Sequence, residues 1–210
     1  MDNIIQGSAA WFQIRCGRVT ASRVADVVAK TKSGYSASRQ TYMGELIAER
    51  LTGVPAQGFT NAAMAWGTEK EPMARDAYRA QTFDDVVEVG FVIHSRIAQS
   101  GASPDGLVGD DGMLEIKCPN TSTHIDTLLS QRIPEKYVTQ MLWQMSAADR
   151  AWCDYVSFDP RLPENMQLFV KRLERDDARI AELETEVTAF LAELEEKVGK
   201  LTALYRKDAA

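Results

Sequence analysis

The sequence predicts an α/β fold, a mixed β-sheet flanked by helices, on three observations. Apolar residues recur at helical spacing as far as about residue 81, and from Val86 the period becomes that of strands. Two further helical stretches, 122–130 and 134–148, precede two more strand-like runs at 151–159 and 166–173. A long periodic segment over 175–205 closes the chain, with Ile180, Leu183, Val187, Phe190, Leu194, Val198 and Leu201 three or four residues apart.

Each element has its own signal. Ser8 is placed to cap a short helix through Trp11, Phe12 and Ile14 that ends near Gly17, and Thr20 or Ser22 starts a second with Val24, Val27 and Val28 on its apolar face. Residues 31–38 read as a polar loop, followed by a helix over 39–52 that Gly53 stops. The helix over 61–81 contains Pro72, which should kink it or mark a new first turn. Residues 86–94, a short strand near Ala98–Ser100, then 105–109 and 112–118 read as a meander, with Asp110, Asp111 and Gly112 supplying the last turn. The helix over 134–148 starts at a proline in a first-turn position. The closing seam over 175–205 would face the core or another subunit, since about three heptads are short for a coiled coil.

The chain has 210 residues, enough for one domain with a substantial core, and its 45% hydrophobic and 26% charged content is that of a soluble globular protein. No apolar run approaches the ~18 residues of a membrane span, so no membrane partner is expected. The leading residues lack the basic and apolar regions of a signal peptide, which predicts an intracellular location. Cys16, Cys118 and Cys153 are few and scattered, against a zinc ribbon, an iron–sulfur cluster or a disulfide framework. His94 and His124 are isolated and assigned to no metal. A net charge of −6 opposes indiscriminate adhesion to DNA, yet residues 1–50 are basic and the acids concentrate after residue 174. A local basic face can bind phosphates on an acidic protein.

The chemistry concentrates in residues 103–119, SPDGLVGDDGMLEIKCP. Alternate side chains of a strand share a face, so Glu115 and Lys117 point one way and Ile116 the other. Folding back through the turn brings Asp105 beside them. Two carboxylates at such a separation suit a hard, oxygen-preferring cation such as Mg²⁺, and a neighbouring lysine can orient a metal-bound water or offset charge on a phosphate. The plainer alternative is an Asp-Gly turn beside a solvated Glu–Lys pair. Leu107, Leu114 and Ile116 favour a central strand, where unsupported charges would be costly.

The segments SPDG and LEIKCP are similar to the PD-(D/E)xK nuclease signature. Together with QGSAAWFQIRCGRVTAS (6–22), AMAWGTEKEPMAR (63–75) and YVTQMLWQM (137–145), in order and closely spaced, they resemble the phage lambda exonuclease family, the YqaJ-like viral recombinase nucleases, over about residues 6–172. The resemblance implies a restriction-endonuclease-like core in a single domain and an Mg²⁺-dependent exonuclease, with Mn²⁺ able to substitute and a two-ion site. It implies degradation of one strand of linear duplex DNA from its 5′ end, leaving 3′ single-stranded tails. It further implies a ring-shaped homotrimer, a single-strand annealing protein as partner, and a phage or prophage origin in the bacterial cytoplasm.

Carried over by position, the resemblance makes Asp105 and Glu115 metal-binding carboxylates, with the Ile116 carbonyl as a further ligand and Lys117 as the catalytic lysine. Glu71 would help hold the metal or its water, and Gln140 would sit beside the site. Arg15, Ser22 and Ser103 would form a pocket for the DNA 5′-phosphate. Lys32 would reach the minor groove, where the family commonly has a guanidinium, and Met64 would be the apolar wedge at the terminal base pair. Each has a plainer alternative: a surface arginine beside capping serines, a solvent-facing Glu71, a Gln140 satisfying backbone groups, a Met64 in the core. The tryptophans are expected as core aromatics. The same scaffold could also serve an endonuclease, a non-catalytic DNA-end-binding protein or a ribonuclease. In a ring, the basic N-terminal faces would line the channel and the acidic C-terminal helices would lie outside or between subunits.

Overall fold

The structure, a computed structural model, describes residues 4–32, 34–56 and 62–205. Ser8 caps α1 (Ala9–Arg15) by accepting from the Trp11 amide, and Gly17, at φ 71°, turns the chain away. β1 (Val19–Thr20) follows, a strand too short to leave a periodic signal. A 3₁₀ turn over Ala21–Arg23 then leads into α2 (Val24–Val28), which buries Val24 and Val27. The expected polar loop over 31–38 is in part a ribbon of β2 (Lys30–Thr31) and β3 (Gly34–Tyr35), with Ser33 outside the described residues. Ser36 caps α3 (Ala37–Thr52), which starts two residues earlier than the sequence suggested because Ser36 accepts from the Arg39 amide. α4 (Ala62–Thr82) is one helix through Pro72.

The expected strand over 86–94 is two strands in two sheets. β4 (Val86–Val87) pairs with β7 (Gly106–Val108), while β5 (Val92–Ile93) pairs with β6 (Ser100–Ala102), the latter two residues later than expected. The break falls at Gly90, where an added Cβ would lie 2.1 Å from the Ile4 carbonyl oxygen. Only glycine permits that approach, and Gln6 secures it by donating to the Val89 and Pro104 carbonyls. The last turn uses Gly109, at φ 53°, with Asp110 and Asp111. Gly112 is instead the first residue of β8 (Gly112–Lys117), lying under the Trp152 ring.

α5 (Thr121–Ser130) and α6 (Glu135–Ala148) form the crossover to β9 (Trp152–Phe158), which makes β8 and β9 parallel. β10 (Leu168–Glu174) returns antiparallel, and α7 (Asp177–Leu204) ends the described chain. One mixed sheet has the order β10-β9-β8-β7-β4, with β8 at its centre, and the other the order β1-β6-β5. The pleat sorts β8 between two cores. Leu114 and Ile116 join Ala74 and Tyr78 of α4, whereas Met113 joins Met141, Leu142 and Met145 of α6. Glu115 and Lys117 therefore share the α6 side.

α7 faces its own chain. Val187, Phe190 and Leu194 pack with Val24, Val27, Tyr42 and Leu46, and Ile180 joins the core around β9. Its acids meet the basic N-terminal part: Lys30–Glu186 at 2.6 Å, Arg39–Glu193 at 2.7 Å and Arg50–Glu195 at 2.7 Å. Much of the N-terminal charge is therefore paired within the chain. No described helix is long and apolar enough to cross a membrane.

Phe190→Ala should lower unfolding stability by roughly 3–5 kcal/mol in a denaturant titration. A loss below about 1 kcal/mol would mean that the seam of α7 is not packed on its own chain.

Candidate active site

The β7–β8 register sets the site. Gly106 pairs with Leu114, so Asp105 comes opposite Glu115, and the Asp105 amide donates to the Leu114 carbonyl at 3.0 Å. The Asp105 side chain turns back onto β8, where Oδ2 accepts from the Ile116 amide at 2.6 Å. Glu115 is 1% exposed, which rules out a solvated surface pair. Its Oε1 accepts from Gln140 Nε2 at 2.7 Å and from Lys117 Nζ, and its Oε2 accepts from Gln144 Nε2 at 2.6 Å. Lys117 Nζ also lies 5.3 Å from the centre of the Tyr137 ring.

α4 brings a second acid and its partner. Arg75, buried and one turn on from Glu71, donates to Glu71 Oε1 at 2.6 Å, reaches Glu88 at 3.1 Å and touches the Asp105 carbonyl at 3.3 Å. Burial, with repulsion from Glu115 and Glu71, pushes the Asp105 carboxyl well above the usual range despite Lys117 and the Ile116 amide. Glu71 is raised for the same first reason, with Glu115 and Glu88 adding and Arg75 and Lys117 opposing. Burial works against the charge on Lys117, but Glu115 and Asp105 outweigh it and hold the ammonium above its ordinary value. Lys117 is thus held as the ammonium, a hydrogen-bond donor to Glu115.

This crowd of acidic oxygens fits a hard cation. Among the described residues no three His, Cys, Asp or Glu side chains form a cage by themselves, so an ion would complete its shell from the Ile116 carbonyl, water or substrate. The Cys118 thiol, pushed up to about 12 first by burial, is no ligand competitor. His94 and His124 are buried and bonded to Ser146 and Ser157.

A cavity of about 1270 Å³ adjoins the acids, and Arg15, Ser22, Met64, Glu71, Arg75 and Asp105 all line it. The Arg15 guanidinium carbon lies 3.7 Å from the centre of the Trp11 ring, and Trp11 Nε1 donates to Ser103 Oγ at 2.9 Å, so Trp11 links Arg15 to Ser103. Arg15 makes no ion pair among the described residues, and burial lowers its pKa against the opposing pull of Tyr42 and Glu49. Ser22 Oγ lies 3.5 Å from Thr20 Oγ1. Met64 is 53% exposed and so is not core, while Trp11 is a cavity wall where a core aromatic was expected. Lys32 stands apart: it is exposed at the β2–β3 turn and is not a wall of the cavity, and Lys30 and Tyr35 hold that ribbon to Glu186. Arg75 and Gln144 lie within the segments 63–75 and 137–145 but were given no role from the sequence; a further signal was their spacing of four residues from Glu71 and Gln140.

Comparison with known proteins follows this geometry. The model of the YqaJ-like viral recombinase domain matches residues 10–151. The crystal structure of LHK-Exo in complex with dAMP is 56% identical, with 93% of this chain and 97% of that chain covered at a TM-score of 0.88. The alkaline exonuclease LHK-Exo from Laribacter hongkongensis is 55% identical over the same shares, again at 0.88. A phage-related exonuclease from Haemophilus somnus 129PT shares the fold at 15% identity and a TM-score of 0.71, over 88% of this chain and 96% of that one. No curated protein matches the chain. The mixed sheet with its long C-terminal helix is the PD-(D/E)xK architecture of these exonucleases, and the chain belongs to the YqaJ-like viral recombinase domain family.

Proposed function

We propose that this protein is an Mg²⁺-dependent exonuclease that degrades the 5′-ended strand of linear duplex DNA and leaves 3′ single-stranded tails for annealing recombination. The observation that carries the proposal is a buried Glu115, bonded to Lys117 and opposite Asp105, beside a cavity lined by Arg15, which makes no ion pair among the described residues. The similarity to LHK-Exo, called an alkaline exonuclease and solved with dAMP, supports the same chemistry. A divalent cation held by Asp105, Glu115, the Ile116 carbonyl and Glu71 would polarise the scissile phosphate and its attacking water.

The chain's own residues do the rest. Lys117, held as the ammonium, donates to the water or to a phosphate oxygen and offsets the developing negative charge. Gln140 holds Glu115 by its Oε1, and Arg75 fixes Glu71. The guanidinium fork of Arg15, with the Ser22 and Ser103 hydroxyls, receives the 5′-phosphate, and exposed Met64 meets the terminal base pair. Water oxygen bonds to phosphorus, the bond to the 3′ oxygen of the terminal nucleotide breaks, and a 5′-mononucleotide leaves. The proposal includes a homotrimeric ring and an annealing protein that takes over the tail. Arg15, Arg18 and Lys32, which make no ion pairs among the described residues, are the N-terminal charges left for DNA, Lys32 through the minor groove.

With Mg²⁺, 5′-phosphorylated linear duplex should be lost quickly, 5′-hydroxyl duplex slowly and closed circles not at all. Glu115→Ala and Lys117→Ala should each lower the rate by roughly 10²-fold or more, and Arg15→Ala should erase the preference for phosphorylated ends. Cleavage of circles would make the enzyme an endonuclease.

The raised carboxyl of Asp105 also sets a dependence on pH. The folded protein retains a proton that the unfolded chain has released, so this contribution to stability is complete in acid and lost as pH rises through the raised value. In chelator, melting temperature should fall with rising pH above about pH 5, where ordinary carboxylates have already titrated. Mg²⁺ should restore it, and Asp105→Asn should flatten the slope. An unchanged slope in that variant would refute the carboxylate crowding.

A further inference from the structure

Glu115 is gripped from both sides. Gln140 and Gln144, four residues apart on α6, stack on one face of the helix. Gln140 Nε2 donates to Oε1 at 2.7 Å and Gln144 Nε2 to Oε2 at 2.6 Å. Gln140 is half-buried beside the site, whereas Gln144 is fully buried. The Gln144 Oε1 is buried with no hydrogen-bond partner among the described residues. An orphaned amide oxygen in a dry interior opposes folding, and methionine would fill nearly the same volume without it. The useful end of Gln144 is therefore its nitrogen. Turning the amide over would set oxygen against carboxylate oxygen, so the network assigns the orientation.

We infer that Gln144 is a positioning residue for the reaction, fixing Glu115 Oε2 so that the carboxylate keeps one orientation toward Lys117, Asp105 and a bound cation. The inference rests on the catalytic assignment of Asp105, Glu115 and Lys117 proposed above. The last torsion of a glutamate is broad, and Lys117 and Gln140 both act on Oε1 alone, which leaves rotation about that oxygen open. Gln144 closes it from the other oxygen. Loss of this one donor should weaken cation binding and turnover while sparing capture of the DNA end, which the Arg15 cavity performs. Residues that orient metal ligands from behind typically matter about 10–100-fold.

The test compares Gln144→Met, of the same length without the donor, with Gln144→Glu, which sets an acceptor against Oε2. Gln144→Met should fold, bind Mn²⁺ about tenfold or more weakly in calorimetry without DNA, lose kcat in like proportion and keep its KM for 5′-phosphorylated ends. Gln144→Glu should be weaker still in turnover. Parental Mn²⁺ affinity and kcat in Gln144→Met would overturn the inference. Glu115→Ala runs alongside, because cleavage and Mn²⁺ binding retained there would sink the catalytic assignment and not the role of Gln144 alone. Should Gln144→Met fail to fold, the side-chain amide signal of Gln144 in ¹⁵N-glutamine-labelled parent decides: it should move on Mg²⁺ titration, and an unmoved signal overturns the inference.

Discussion

The architecture turns on one difficult placement, a carboxylate inside the central strand of a sheet. Glu115 sits between the β7 and β9 ladders, shielded from water, and Lys117, Gln140 and Gln144 compensate for its burial. The parallel crossover from β8 to β9 needs helices, and the second of them lays two glutamines across the carboxylate. Strand alternation puts Lys117 on the same face, and the antiparallel partner brings Asp105 from the other side. Without that strand at the sheet centre, none of these groups would have a reason to meet.

A second layer of organisation is ionic. The chain is acidic overall, yet its acids are used to tie a helix down. Glu186, Glu193 and Glu195 of α7 hold Lys30, Arg39 and Arg50, while the apolar face of the same helix packs on α2 and α3. The Lys30–Glu186 pair is the more exposed and adds little stability by itself, whereas Arg39 is buried. The effect of these pairs is selective, because they neutralise charges that are not walls of the cavity, whereas Arg15, which is one, makes no ion pair among the described residues.

Much of this was legible in the sequence, and the failures share a cause. The strand period of 112–117, the Asp105–Glu115–Lys117 pattern, the capped helices and the seam of α7 are written in local spacing, and the local structure follows it. The split of 86–94 is not local: both halves have the same composition, and the break comes from the backbone of Ile4 arriving at Gly90. β1 and the β2–β3 ribbon have two residues per strand, too few for any period. Arg75 and Gln144 looked like ordinary helix residues because only the packing of α4 and α6 onto β8 shows which turn faces the acids. The pairing of α7 with the N-terminal bases joins residues more than a hundred positions apart.

The approach of Ile4 to Gly90 has a practical side. The leading strand of polypeptide is pinned where the chain changes sheets, and Ile4, Ile5, Gln6 and Gly7 form part of the cavity wall. A change at Ile4, Ile5, Gln6 or Gly7 is consequently a change to the wall of the cavity that Glu71 and Asp105 also line. For engineering, these four residues are ones to leave as they are.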